Sequence, residues 1–272
     1  MPLHFEALSS IKDISTEFSW IVQEGLSEAD SVFKTWNRKY WHIRRNIMDG
    51  VSGKIIGAIV YTMKCVKKTL EILDIDIVWN NPNATALRFI RRHAESSDAN
   101  EYYEAEIVAS GQHLEVETVN RHVIPREILN TERDVFACAF PFEVHVFEDM
   151  TALNAWAGFR TPVTVRNTDM KVDGLSETFV MSGRLFNESQ NARESFSFLI
   201  GTVTELRNVM ISFGDVYYPL ILAHMETALG VIPVVMSRDV FDLDQLKVGS
   251  AVYMYADIKV DLAQEKHFKK FK

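Results

Sequence analysis

The sequence predicts an α+β protein: a mixed N-terminal domain over residues 1–160, a connecting segment over 161–194, and a β-rich C-terminal domain over 195–272. Three observations predict it. The chain has 272 residues, 47% hydrophobic and 24% charged, an ordinary globular composition that excludes disordered and low-complexity classes. Its length exceeds the roughly 250 residues at which single cores stop growing, which favours two units. Apolar residues recur at helical spacing early in the chain and alternate late in it, with a polar, turn-rich stretch between Gly158 and Ala192.

In chain order, Ile11, Ile14, Phe18, Ile21 and Val22 predict an amphipathic helix stopped at Gly25. Residues 31–46 read as two short strands about a turn at Asn37-Arg38. In 54–70, Ile55, Ile56, Ile59, Met63, Val66 and Leu70 lie near one side of a helix, although so many β-branched residues also suit a strand; helix is the reading taken. Leu73, Ile75, Ile77 and Trp79 alternate as a strand that ends at Asn80-Asn81-Pro82-Asn83, and 84–93 reads as a short helix. Tyr103 to Val108 and Leu114 to Thr118 alternate around Ser110-Gly111-Gln112 as a hairpin, and Phe140 to Val146 form another strand. Asp149 is placed to cap a helix over 151–156. One strand is expected over 178–185, and no repeat with a period of 20 to 50 residues is present.

The C-terminal part opens with a strand from Phe196 through Gly201 to Leu206, followed by Val209 to Phe213 and a turn at Gly214-Asp215. The apolar run from Val216 to Met236 approaches membrane-spanning length. Glu226, His224, Pro219 and Pro233 interrupt it, so it reads as two strands about Ala228-Leu229-Gly230. In the last strand Val252, Met254, Ala256, Ile258, Val260 and Leu262 face the core. Tyr253, Tyr255, Asp257, Lys259 and Asp261 face solvent or ligand.

The glycine at 201, where a strand must bend, and the Leu246-Lys247-Val248-Gly249-Ser250 turn after a short helical segment resemble the OB-fold family over residues 195–263. The resemblance implies a five-stranded barrel, of which four strands are visible here. It also implies a binding face for single-stranded nucleic acid, sugars or protein segments, with Arg207, Tyr217, Tyr253 and Tyr255 on it. Acids outnumber bases along that stretch, which turns the expectation towards a docked protein.

With 29 Lys and Arg against 37 Asp and Glu, the net charge is −8, and it is concentrated in residues 101–150, which carry 3 bases and 11 acids. That balance argues against broad nucleic-acid binding. Cys65 and Cys138 stand far apart in a chain with no secretory pattern at Met1-Pro2-Leu3, so buried, reduced thiols and a cytoplasmic setting are expected.

Two clusters invite a ligand. Trp36, Arg38, Lys39, Tyr40, Trp41, Arg44 and Arg45 combine rings and cations as a single strand of nucleic acid requires; the plainer reading is a pair of ordinary strands. Lys64, Lys67, Lys68, Arg91 and Arg92 would enlarge that patch if folded beside it. Glu104, Glu106, Glu115 and Glu117 share one hairpin face, which would suit a cation or a basic protein; the plainer reading is a solvated exterior. The eight histidines form no metal-ligand spacing, and no glycine loop or nucleophile motif is present. His145 beside Glu143 and His224 near Glu226 are the first bases to consider for a site assembled through space. The sequence therefore predicts a cytoplasmic, non-enzymatic binding or adaptor protein with a protein partner and no cofactor, metal or membrane. Single-stranded nucleic acid is the alternative ligand, and an enzyme with an unrecognised site is the second alternative.

Overall fold

The computed structural model describes residues 31–34, 40–66, 69–93, 101–119, 128–156, 163–165, 168–170, 175–183, 196–213 and 216–262. Among these residues there are fifteen strands and one six-residue helix, so the α+β expectation is replaced by a β architecture. The helix predicted at 10–25 lies outside the described residues.

Strands β1 (Ser31–Lys34), β2 (Tyr40–Met48), β3 (Ile55–Val66) and β4 (Thr69–Trp79) form an antiparallel four-stranded sheet in chain order. The helix expected over 54–70 is thus β3 and the start of β4. Ile56, Ala58, Ile59 and Val60 are all buried, and a strand covered on both faces loses its period of two, so periodicity could not identify it. The helix expected over 84–93 is also a strand, β5 (Thr85–Arg92), in which Leu87 and Phe89 are buried and Arg88 lies between them.

Then follow β6 (Glu101–Ile107), β7 (His113–Thr118), β8 (Glu132–Phe147), α1 (Met150–Ala155), a small β9 (Val163–Val165) and β10 (Thr168–Met170) pair, and β11 (Val180–Ser182). The remaining strands are β12 (Ser197–Phe213), β13 (Val216–Thr227), β14 (Gly230–Met236) and β15 (Ala251–Leu262). Asp149 caps α1 as expected, its carboxylate accepting Ala152 N–H at 2.8 Å. The β13–β14 hairpin also forms as expected, and Gly230 takes a positive φ of 77° that L side chains adopt with difficulty. The short helix expected before the last strand is absent; 238–249 is a succession of turns.

Strand pairing generates two Greek keys. In the first, β8 returns to lie beside β5, giving the order β8-β5-β6-β7; in the second, β15 returns beside β12, giving β15-β12-β13-β14. Each key then closes on the other's fourth strand. Strand β15 runs parallel to β7 at Lys259↔Glu117, and β8 runs parallel to β14 at Val234↔Ala139. The two strands also pair with each other, antiparallel from Ala251↔Phe147 to Leu262↔Val135. Two five-stranded rings therefore share β8 and β15.

The two-domain expectation fails for this reason. A boundary between 160 and 195 would separate β8 from β15, yet one apolar core runs from Leu87, Tyr103 and Val116 through Val135 and Ile258 to Met225 and Val234. Gly201 serves both neighbours of β12, opposite Thr227 of β13 and Val252 of β15. A Cβ there would stand 3.0 Å from both the Met225 Cβ and the Thr227 Cγ2. The four-stranded sheet covers the outside of this assembly, with Ile47, Ile56, Ile59, Ile77 and Trp79 packed against Cys138, Phe140, Ile211 and Leu222.

Candidate functional site

Strand alternation on β15 assigns Val252, Met254, Ala256, Ile258 and Val260 to the core. The opposite face is not open to solvent along its length. Asp257, Lys259 and Tyr253 are each less than a tenth exposed. Lys259 Nζ stands 3.5 Å from Glu117 Oε2 and 5.7 Å from the centre of the Phe140 ring. Burial pushes the neighbouring Cys138 thiol up to about 12, which leaves it an inert, apolar side chain.

The acidic hairpin face divides in two. Glu104 lies opposite Glu115, and Glu106 opposite His113, so the residues do share one face. Glu104 and Glu106 are half-buried and held by Arg91, Arg88 and His113. Burial alone would raise Glu104, but the His113 hydrogen bond and the Arg91 charge hold it below the ordinary carboxylate range. Glu115 is fully buried: its carboxylate contacts His93 Nε2 and accepts Ser182 Oγ at 2.5 Å, while Ser197 Oγ meets both its backbone N–H and its carbonyl. The carboxylate, not the imidazole, receives the serine hydroxyl, so the trio lacks the serine-to-histidine contact that activates a nucleophile. Sequence reasoning did not connect these residues, because His93, Ser182 and Ser197 come from three distant segments.

Of the basic and aromatic cluster, Tyr40, Trp41, Arg44 and Arg45 lie on β2, in register with Lys64, Met63, Val60 and Ile59 of β3. Trp36, Arg38 and Lys39 fall outside the described residues, as do Lys67 and Lys68. Arg91 and Arg92 do not add free cations to it; they pair with Glu104 at 2.8 Å and Glu101 at 3.1 Å.

The expected barrel face is also divided. Tyr255 lies opposite Phe198 near the start of β12, whereas Tyr217 lies opposite Ser212 near its end, so the two tyrosines sit at opposite ends of one 17-residue strand. Tyr217 is 65% exposed, and Arg207 is engaged with Glu205. His224 approaches Glu205 at 3.4 Å; burial pulls it below the ordinary histidine value against the upward pull of that carboxylate.

A continuous stripe of rings crosses β8, β15 and β12 on the covered face. Phe198 and Tyr253 are 4.5 Å apart between ring centres, and Tyr255 joins Phe142 and Phe196. Tyr253 donates its hydroxyl to Tyr255 at 2.8 Å, and burial, that bond and Glu143 push Tyr253 upward. At its other end the stripe reaches the surface. The Trp156 ring, placed by the end of α1, packs 5.3 Å from His145, 5.4 Å from Phe147 and 5.6 Å from Tyr253, yet Trp156 is 37% exposed. His145 Nε2 also donates to Glu143 Oε1 at 3.0 Å, and the Glu143 side chain is 52% exposed. Between β8 and α1, Glu148 is paired with Lys247 at 3.4 Å, and the Asp149 carboxylate is occupied as the helix cap. The sequence signalled Tyr253, Tyr255 and His145 but not Trp156, whose place depends on α1 folding back over β8 and β15.

Among the described residues no group of three or more His, Cys, Asp or Glu is arranged to hold a metal ion. No helix among them is long and apolar enough to cross a membrane. No protein-family model matches this chain, no curated protein matches it, and no solved structure matches it.

Proposed function

We propose that this chain is a non-enzymatic binding protein that engages another macromolecule, a protein partner, at the surfaced end of the ring stripe. The observation that carries the reading is Trp156, a large aromatic side chain more than a third exposed and packed on the rings of His145, Phe147 and Tyr253, with the exposed Glu143 carboxylate on the His145 imidazole. Aromatic residues anchored on a rigid sheet are what protein interfaces use as energetic centres. The exposed Glu143 carboxylate favours a cationic partner and disfavours phosphates. The burial of Glu115, Glu117, Asp257 and Lys259 is in keeping with a non-catalytic reading, since these charged groups are turned away from solvent. The Greek-key order of each ring supports an OB-like barrel, a fold suited to binding along its strands and loops. A cytoplasmic setting belongs to the same reading and is in keeping with the free Cys138 thiol.

Photo-crosslinking tests it. The chain carrying Trp156→p-benzoylphenylalanine is irradiated in cells beside a control labelled at Asp244, whose side chain is 91% exposed. Adducts formed at 156, absent at 244 and resistant to nuclease are the expected result. A nuclease-sensitive adduct would transfer the reading to single-stranded nucleic acid, and no adduct above the control would overturn it.

A further inference from the structure

We infer that the Trp156 site selects arginine, so that the partner presents an exposed arginine side chain rather than a generic positive charge. This rests on the reading of Trp156 as a docking site. The inference follows from what lies side by side. Trp156 offers a partly exposed indole whose ring packs against His145, Phe147 and Tyr253 and is fixed in place by them. His145 in turn touches Glu143 at 3.0 Å, so an exposed carboxylate stands one imidazole away from the indole. A flat ring beside a carboxylate matches a guanidinium on two counts. Its plane stacks on an aromatic face, and its fork of N–H groups is a bidentate donor to a nearby carboxylate. A lysine ammonium is a compact, strongly hydrated charge that gains from the carboxylate but has no plane to stack.

Three fluorescent peptides of equal length and backbone separate these contributions: one with three spaced arginines, one with lysines in those places, and one with citrullines, which keep the plane and lose the charge. Anisotropy titrations with the full chain are expected to show the arginine peptide binding about tenfold more tightly than either other peptide. Trp156→Ala should abolish that preference while leaving weak, salt-sensitive binding of both cationic peptides; Trp156→Phe, which keeps a ring, should retain most of it. Glu143→Gln should weaken arginine binding without restoring lysine. Equal affinity for arginine and lysine peptides, unaltered in Trp156→Ala, would overturn the inference and leave only the attraction of an acidic surface. If position 156 still cross-links a protein in that case, the arginine inference alone falls; if it cross-links nothing, the docking reading falls with it.

Discussion

Lys259 of β15 and Glu117 of β7 stand opposite each other in a parallel pairing, 3.5 Å apart, with each side chain 6% exposed. Two charges withdrawn from water at the seam where the first ring closes are individually costly, and each offsets the other. Lys259→Met alone is therefore expected to lower stability by about 3–5 kcal/mol, since it takes the Lys259 cation away from a buried carboxylate. Combining it with Glu117→Gln should cost distinctly less than the sum of the single changes. Urea denaturation of the four chains of this cycle checks it; additive losses would mean that the pair is not coupled.

Asp49 ties the four-stranded sheet to the second Greek key. Its carboxylate accepts Ser52 Oγ at 2.5 Å, Val51 and Ser52 N–H at 3.1 Å, and Met210 N–H at 3.1 Å. The Ser52 hydroxyl, outweighing burial, and the backbone donors after it hold its pKa at about 2. A carboxylate depressed in the folded state stabilises the fold above its ordinary value of 3.8 and loses that contribution as pH falls towards 2. Asp49→Ala should cost about 2 kcal/mol at neutral pH. The difference between the two chains should shrink as pH drops from 4 to 2, and a gap constant over that range would contradict this account.

Cys138 should be invisible to thiol reagents while the protein is folded. With its pKa near 12, about one thiol in ten thousand is ionised at pH 8, and the side chain is buried between Trp79, Phe140 and β15. In a Cys65→Ser chain, reaction with a disulfide reagent should be negligible in buffer and appear along the urea unfolding curve. Rapid labelling in buffer would show that the cover opens locally.

Two glycines should differ in their tolerance of a methyl group. A Cβ at Gly57 would lie 2.5 Å from the Val78 carbonyl oxygen, a backbone neighbour that cannot rotate away, and 2.8 Å from the Trp79 ring. At Gly201 the nearest obstacles stand farther off, at 3.0 Å: the Thr227 Cγ2, which can turn about χ1, and the Met225 Cβ, which moves only with its backbone. Gly201→Ala should cost about 1–3 kcal/mol and Gly57→Ala more, read as midpoints of thermal unfolding.

The legible parts of this fold are those in which one face of a strand meets the core and the other does not. Val252 to Leu262 alternate for that reason, Gly230 marks its turn by the backbone angle it must adopt, and Asp149 marks a helix start by its side-chain oxygen. Residues 55–60 gave no such signal, because β3 is buried on both faces, Ile56 and Ile59 in a cluster with Phe140 and Leu222, and Ala58 and Val60 in one with Val119. The fifth strand of each ring was illegible in principle, as no local pattern in β8 states that it will run beside β14. Glu115 reads as one more exposed glutamate until His93, Ser182 and Ser197 arrive around it. The ring stripe was visible only where it lies on one strand, at Tyr253 and Tyr255. Its surfaced end requires α1 to bring Trp156 over His145.

The exchange of β8 and β15 has a consequence for biosynthesis. The first Greek key leaves the ribosome with its own four strands by Phe147, but its closing neighbour does not appear until after Ala251. At about 5–20 residues per second, the intervening stretch takes several seconds to synthesise. During that interval the β7 edge that β15 will occupy has unpaired backbone groups, the state most prone to capture by a neighbouring nascent chain. Completion is therefore a late, joint event. The last strand to emerge seals both rings at once, and a message truncated before it would release a chain with neither ring closed.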